Sequence, residues 1–238
     1  MNVAIIGYGK MGREIEKILA ERGHKAALII DIDNSADLCA EKLGNIDVAI
    51  EFSTPDTAYE NVVRTIECGV PVVCGTTAWL DRLPDAEALC RARNGAFFYA
   101  SNYSVGVNVF LKINEKLAEL MDMHSSYDVT VEEVHHTGKK DAPSGTAITI
   151  ADGILKSLGR KKRWFYGATT NPEELEVTAV RRSVVPGIHT VTYESDIDTL
   201  TFTHSAKSRR GFAYGAVLAA EFICGKQGVF TMDDLLGL

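Results

Sequence analysis

The chain is short of the residues that mark several protein classes. Its five cysteines, Cys39, Cys68, Cys74, Cys90 and Cys224, are odd in number, scattered and without a CxxC pair. That argues against a disulfide framework and a zinc knuckle, and fits reduced thiols in a cytosolic, cytoplasmic protein. No apolar run approaches the ~20 residues of a membrane span. The first, Val3 to Ile6, stops after a few residues and follows no basic segment, so no secretion signal or membrane anchor is expected and structure is expected from residue 1. Positive charge is also in deficit. The 25 Lys+Arg against 32 Asp+Glu give a net charge of −7, which repels nucleic acid and anionic membrane surfaces. An anionic ligand must therefore meet a local cluster of positive groups. Proline and glycine, 6 and 20 of 238 residues, are too few for a disordered chain, and 46% hydrophobic with 24% charged residues is ordinary for a globular one. The length accommodates one large domain or two modest ones.

What is present is an alternation of short apolar runs with helical patterns. Val3 to Ile6, Ala26 to Ile30, Val48 to Phe52, Val72 to Cys74 and Ala96 to Ala100 are apolar on both faces, as a buried parallel sheet requires. Between them Met11, Ile15, Ile18 and Leu19 recur at helical spacing up to Gly23, Thr54-Pro55-Asp56 opens a helix running to Cys68-Gly69, and a third runs from Asp81 to Arg93. This order predicts a doubly wound parallel sheet. After Asn102 comes a helix from about Gly106 to Met121, then alternating segments at Tyr127 to Val134, Leu175 to Val180, Ile188 to Tyr193 and Leu200 to Phe202. They predict a second, largely antiparallel sheet with one wet or ligand-facing side. An Ala-rich helix from about Gly211 to Ile223 suits a return to the first domain. We therefore expect an α/β chain with a discontinuous cofactor domain at 1–101 plus 210–238 and an inserted α+β domain at 102–209.

Gly7-Tyr8-Gly9-Lys10-Met11-Gly12 follows the first strand and opens the first helix, the context in which GxGxxG is informative. The first glycine allows the tight turn, the second the approach of a pyrophosphate, and the third close packing of helix on strand. Asp31 ends the second strand close to the ~20-residue spacing at which an acid bonds the adenosine ribose. A dinucleotide is indicated, although a ligand-free glycine turn and an ordinary strand-end acid are the plain alternatives.

The second signal runs from Glu132 to Ala147. A strand ends in His135-His136, a loop carries Lys139 and Lys140, and Pro143-Ser144-Gly145-Thr146 begins a helix reaching Leu158. His136, both lysines and the helix N-terminus can converge on a carboxylate, and His135 can exchange protons near neutral pH. A zinc pair, a surface histidine cluster or a solvated lysine loop would also account for it. Adjacent strand residues point to opposite faces, which speaks against both histidines binding one metal.

The stretch Val134 to Ala147 resembles the signature of dihydrodipicolinate reductases, His-His-x-x-Lys-x-Asp-Ala-Pro-Ser-Gly-Thr-Ala. Glu51-Phe52-Ser53, Gly75-Thr76-Thr77, Ala100 to Asn108, Arg181 to His189 and His204 to Arg209 resemble further segments of that family, with Tyr103, Ala78 and Ser183 where the family usually has Phe, Gly and Gly. The resemblance implies a Rossmann-type cofactor domain with an inserted substrate and oligomerisation domain. It also implies NAD(P)H-dependent reduction of 4-hydroxy-tetrahydrodipicolinate, by way of dihydrodipicolinate, in lysine and diaminopimelate biosynthesis, by a homotetramer. His135 and Lys139 would act in proton transfer, and His136, Gly145 and Thr146 would hold a carboxylate of the dicarboxylate substrate. The cofactor would lie on Gly7, Gly9, Lys10, Met11, Gly12, Asp31, Gly75, Thr76, Thr77, Ala100, Ser101, Asn102 and Tyr103.

From local charge we expect NADH to be preferred and NADPH tolerated. Asp31, Asp33, Asp37 and Glu41 precede the first base, Lys42, with Lys10 and Arg13 partly compensating. A semialdehyde dehydrogenase would need a thiol nucleophile, for which Cys74 and Cys90 have no evident partner, and a dinucleotide sensor would need a DNA-binding or switch segment. The segment Lys161 to Trp164 is expected to face solvent.

Overall fold

Both-faces-apolar strands bury themselves between helices, and the first half of the chain does so in the expected order. In the computed structural model, which describes residues 1–238, β1 (Asn2–Ile6), α1 (Lys10–Glu21), β2 (Lys25–Ile30), α2 (Ala40–Leu43), β3 (Val48–Glu51), α3 (Pro55–Glu67), β4 (Val72–Cys74), α4 (Leu83–Ala92) and β5 (Ala96–Tyr99) alternate. The helices stop where the backbone turns left-handed, at Gly23 and Gly69 (both φ +76°) and at Asn94 (φ +51°). The chain continues through α5 (Val105–Asp122), β6 (Asp128–His135), α6 (Gly145–Ser157), β7 (Arg163–Tyr166), β8 (Glu174–Arg181), β9 (Ile188–Glu194) and β10 (Thr199–Ser205). It ends in α7 (Arg210–Ile223), β11 (Gly228–Phe230) and α8 (Met232–Leu236). Two units result, Met1–Val105 with Arg210–Leu238, and Gly106–Arg209. No helix is long and apolar enough to cross a membrane.

In the first unit six parallel strands lie in the order β11-β5-β4-β3-β1-β2. Strand alternation divides its core. Val3, Ile5, Val48, Ile50 and Phe98 pack with Ile15, Ile18 and Leu19 of α1 and the small residues of α7. Ala4, Ile6, Ala49, Val72 and Phe97 pack with Ala58, Val62 and Ile66 of α3 and with Ala86 and Cys90 of α4. This is the doubly wound sheet the apolar runs predict. Helix α7 rests directly on backbone, since a Cβ at Gly215 would lie 1.7 Å from the Tyr103 carbonyl oxygen. The edge strand β11 and helix α8 carry no pattern that the sequence made legible.

The second unit's sheet has the order β10-β9-β6-β8-β7. It is mixed, a correction to the expected antiparallel sheet: β9 runs antiparallel to β6 and β10, but β8 is parallel to β6 and to β7. Alternation reports which face is buried and carries no information on strand direction; here α6 makes a crossover between β6 and the β7–β8 pair. One sheet face, with Val129, Val131, Val177, Val191 and Tyr193, packs on α5 through Phe110 and Ala118 and on α6 through Ile150 and Ile154.

Within the segment from Lys161 to Trp164, Lys162 and Arg163 face solvent as expected, whereas Lys161 does not. Lys161 is only 4% exposed, its Nζ donating to the Glu174 carbonyl (2.9 Å) and pairing with Asp128 Oδ1 (2.6 Å), and Arg163 starts β7. The ammonium stays buried because backbone and carboxylate replace its water.

Candidate functional site

The turn from β1 into α1 meets the geometric demands of a phosphate loop. Gly7 takes φ +90°, and a Cβ there would stand 2.2 Å from the Phe52 carbonyl oxygen. A Cβ at Gly12 would stand 2.2 Å from the Gly7 carbonyl oxygen, whereas one at Gly9 would have nothing within 4 Å. The outer glycines thus serve chain packing and the middle one leaves room for a ligand. Helix α1 has no side-chain N-cap and no acid in its first turn, so its N–H groups and positive dipole end remain available to an anion.

Two clefts flank this loop. One, of about 380 Å³, is lined among others by Gly7, Gly9, Asp31, Ile32, Ser53 and Asn61; the other, of about 430 Å³, by Gly9, Lys10, Met11, Gly75, Thr76 and Thr77. Gly75 is forced by Phe52, whose ring carbon would lie 2.1 Å from a Cβ there. Thr76 Oγ1 accepts the Ser53 N–H at 2.9 Å, and the buried Glu51 carboxylate accepts it at 3.0 Å, fixing the strand ends that border both clefts. Ala78, where the resembled family usually has Gly, takes φ +65°, so the left-handed turn is kept at a cost of about 1–2 kcal/mol.

Ala100, Ser101, Asn102 and Tyr103 line neither cleft. Tyr103 is 2% exposed, wedged by Phe52 and Phe98, its hydroxyl donating to the Cys74 carbonyl oxygen at 2.7 Å. Its hydroxyl is thus spent inside the core. The residues missed around the clefts are Tyr8, Ile32, Phe52, Ser53 and Asn61. Ile32, 85% exposed immediately after Asp31, had a readable signal: an apolar side chain on a strand-end turn with nothing of its own to pack on. Burial, then the Glu51 charge, pushes the Cys74 thiol well above its ordinary pKa, and burial raises that of Cys90. Neither is a thiolate nucleophile at neutral pH, which removes the basis for semialdehyde dehydrogenase chemistry.

In the second unit the apolar sheet face becomes polar at the end of β6. Glu133 and His135 continue the phase of Val129 and Val131, with His189 opposite Glu133 on β9 and Arg181 beside His135 on β8. Glu133 has no exposed surface; its Oε1 accepts from Arg181 (3.1 Å) and its Oε2 from the Ser144 N–H (3.1 Å). Burial works to raise its pKa, but those two bonds prevail and hold the carboxyl below its ordinary range. His135 Nδ1 faces Oε2 at 3.5 Å and His189 Nε2 at 3.8 Å. Burial lowers both histidines, His189 to about 4, against the opposing pull of Glu133.

One donor atom from each of Glu133, His135 and His189 lies within 4.8 Å of the others, but Arg181 already puts a cation on Glu133. The other Glu133 oxygen, which faces both imidazoles, already accepts the Ser144 N–H. The three form an ion-pair and imidazole cluster.

Loop 136–144 adds the remaining groups. Lys139 Nζ donates to both Asp141 oxygens at 2.8 Å, and this lowers the Asp141 pKa; Arg181 also donates to the Asp141 carbonyl at 2.7 Å. His136 is half-buried just past the end of β6. At the start of α6, Ser144 Oγ caps the Ala147 N–H (3.2 Å) and Glu133 takes the Ser144 N–H, which leaves the N–H groups of Gly145 and Thr146 for a ligand. Nothing lies within 4 Å of a Cβ built on Gly145. Ser183, a second family Gly position, takes φ +43° and its carbonyl receives the Thr137 N–H at 3.2 Å, so this turn too is retained. His135, His136, Lys139, Gly145 and Thr146 are thus borne by one strand end, one loop and one helix start. Glu133, Asp141, Ser144 and His189 were missed as site residues.

Residues 1–103 match the family model described as dihydrodipicolinate reductase, N-terminus, and residues 106–236 the one described as dihydrodipicolinate reductase, C-terminus. The chain is similar to the 4-hydroxy-tetrahydrodipicolinate reductase of Christiangramia forsetii, 48% identical over 237 residues that cover 99% of this chain and 98% of the relative. With the enzyme of the same name from Methanosarcina mazei it shares 36% identity over 241 residues, 99% of this chain and 89% of the relative. The dipicolinate-bound dihydrodipicolinate reductase from Paenisporosarcina sp. TG-14 has the same fold, with a TM-score of 0.75 at 20% identity across 97% of each chain.

The buried imidazole of His189 sets an acid limit on stability. Burial pushes its pKa down to about 4 from the ordinary 6.5, so the neutral form is favoured in the folded chain. The stabilisation is complete above pH 6.5 and is lost as pH falls toward 4. Between pH 7 and pH 5 unfolding free energy should drop by about 2 kcal/mol from this group alone. Denaturant titrations at the two pH values test it, and His189→Asn should flatten the difference.

Proposed function

The chain belongs to the dihydrodipicolinate reductase family, and from that premise we propose that it reduces 4-hydroxy-tetrahydrodipicolinate, by way of dihydrodipicolinate, to tetrahydrodipicolinate. This is a step of lysine and diaminopimelate biosynthesis. The observation that carries the reading is the group of donors at the β6 end, Lys139, His136 and the free first turn of α6, with Arg181 holding Glu133 behind them. In a chain of net charge −7 such a cluster has a use if it receives an anion.

Gly145 and Thr146 donate N–H groups to one carboxylate, with His136 beside them. Reduction of an unsaturated cyclic imine builds negative charge toward ring nitrogen and carbon, and Lys139 and His135 stabilise it and supply protons. Asp141 engages the Lys139 ammonium through its two oxygens, orienting it and leaving at least one N–H for substrate. When bound, the reduced nicotinamide supplies the hydride. Gly7 to Gly12 hold its pyrophosphate, Asp31 the adenosine ribose, and Gly75 to Thr77 border the second cleft. Ala100 to Asn102 are assigned to the cofactor by the family resemblance alone, since they line neither cleft, and Tyr103 acts from the core by bonding the Cys74 carbonyl ahead of Gly75. The five free cysteines fit a cytoplasmic enzyme.

Lys139→Ala is expected to lower kcat by about 10²–10⁴-fold, the range of a positioned proton donor. The Kd for NADH should stay near wild type, because Lys139 is not on the glycine loop. Steady-state turnover and cofactor titration by fluorescence check both halves, and an unchanged kcat would refute the assignment.

NADH is preferred and NADPH tolerated. Asp31 sits exposed at the end of β2, its Oδ1 accepting the Ile32 N–H, and Asp33 and Asp37 follow in the same turn. Arg13, one of the two bases at the start of α1 that could compensate, lies over the Tyr8 ring at 4.8 Å. A 2′-phosphate therefore meets net negative charge. Asp31→Asn should reduce the NADH:NADPH ratio of kcat/KM by about 5-fold, as removal of ~1 kcal/mol of repulsion predicts; a wild-type preference for NADPH would overturn the charge argument.

Assembly is proposed to be a homotetramer built through the second unit. Phe165 and Tyr166 on the edge strand β7 are 42% and 48% exposed, and Leu200 on the opposite edge strand β10 is 42% exposed, apolar groups at both sheet edges that self-association would cover. Light scattering at micromolar concentration should give four times the 25.9 kDa chain mass, and a monomer would refute it.

A further inference from the structure

A carboxylate with no exposed surface is costly unless fully paired, and every partner of Glu133 belongs to the end of the second unit that carries the proposed proton donors. Arg181 and Ser144 account for its two oxygens as ion pair and hydrogen bond. Neither explains why His135 Nδ1 is buried facing Oε2 at 3.5 Å without any hydrogen-bond partner. The other ring nitrogen has a different outlook. A Cβ on Gly187 would stand 3.0 Å from His135 Nε2, so only a residue without a side chain keeps that edge of the ring uncovered.

We propose that Glu133 is a positioning residue for His135: its carboxylate holds the proton on Nδ1, fixing the tautomer that presents Nε2 at the Gly187 edge for proton exchange with substrate. The opposite tautomer would set the Nδ1 lone pair against a carboxylate oxygen, a repulsive contact with no water to relieve it. Because Oε2 also holds the Ser144 N–H, the same oxygen ties the ring to the first turn of α6, where a carboxylate of the substrate is proposed to sit. Separations of 3.5 Å in ligand-free sites shorten when the reacting complex forms. Proton exchange at Nε2 leaves Nδ1–H in place and Glu133 ionised throughout, so no net proton is gained or lost at the acid. The inference rests on the role given to His135 above.

The charges facing His135 come from Glu133 on its own strand, His189 on β9, Arg181 on β8, and Lys139 and Asp141 of loop 136–144. Of these Glu133 is the main group that favours the imidazolium, while Lys139 and Arg181 oppose it. Removing its charge must move the His135 titration to lower pH, whichever protonation state the reaction requires.

The test compares Glu133→Gln and His135→Gln with the wild-type enzyme. Glu133→Gln should lower kcat by about 10²-fold, the lower bound for a positioned acid–base group, with NADH affinity unchanged, and should displace to lower pH the kcat limb that His135→Gln abolishes. A Glu133 that acted through its charge alone would also move the limb, but would leave the plateau kcat and the ring tautomer unchanged. Ring ¹⁵N chemical shifts of His135 in the wild-type enzyme, assigned by their loss in His135→Gln, give a reading independent of how the Glu133 variant folds; Nδ1–H is expected. Nε2–H, or an unmoved limb in a folded Glu133→Gln, overturns the inference while leaving the His135 role intact. An unaffected kcat in His135→Gln removes that role and the inference with it.

Discussion

A fully buried carboxylate in the middle of a sheet constrains everything placed beside it. Glu133 cannot be left alone at the β6 end, since an unpaired buried charge costs several kcal/mol. Arg181 reaches it only because β8 runs parallel to β6 in the register that sets Arg181 beside His135. The Ser144 N–H reaches it only because α6 begins there. Strand direction, helix position and loop 136–144 therefore answer to one charge. The donors that an anionic substrate would meet are what is left after that charge is satisfied: the N–H groups of Gly145 and Thr146 and the ammonium of Lys139.

The first unit meets a comparable demand by sterics. Its clefts exist because backbone approaches backbone at Gly7, Gly12 and Gly215, where a single Cβ would collide with a carbonyl oxygen. Charge is scarce there and the donors are peptide N–H groups at the start of α1, which do not titrate. The titrating cluster of Glu133, His135 and His189 belongs to the second unit. The glycine turn of the first unit and the titrating cluster of the second thus rest on different physics within one chain.

Much of this was legible in the sequence for physical reasons. Apolar runs on both strand faces require cover on both faces, so β1 to β5 with α1, α3 and α4 between them followed directly, while the four-residue α2 carried no pattern of its own. GxGxxG between strand and helix located the glycine turn at the start of α1, and the histidine, lysine and helix-start residues of 135–146 located the segment proposed to carry the proton donors. Other features had no local signal. Direction within the second sheet depends on the crossover through α6, and Lys161 is buried by partners from β6 and β8 that are distant in sequence. Ala78 and Ser183 looked like departures from a glycine pattern. Both nonetheless adopt positive φ, so surrounding structure prevails over the intrinsic preference of either residue.

Glu133 is the instructive omission, because its signal was present. Residues 129 and 131 are Val, and the same two-residue period places 133 and 135 on the covered face. An acid and a histidine in phase with an apolar stripe must be buried, and a buried acid must have a cation and an N–H donor within reach. Following that requirement along the chain leads to the Arg at 181 and the helix start at 144, both within segments already singled out on other grounds. Reading periodicity for the polar residues that fall in phase with it, as well as for the apolar ones that define it, would have connected the separate motifs into one site.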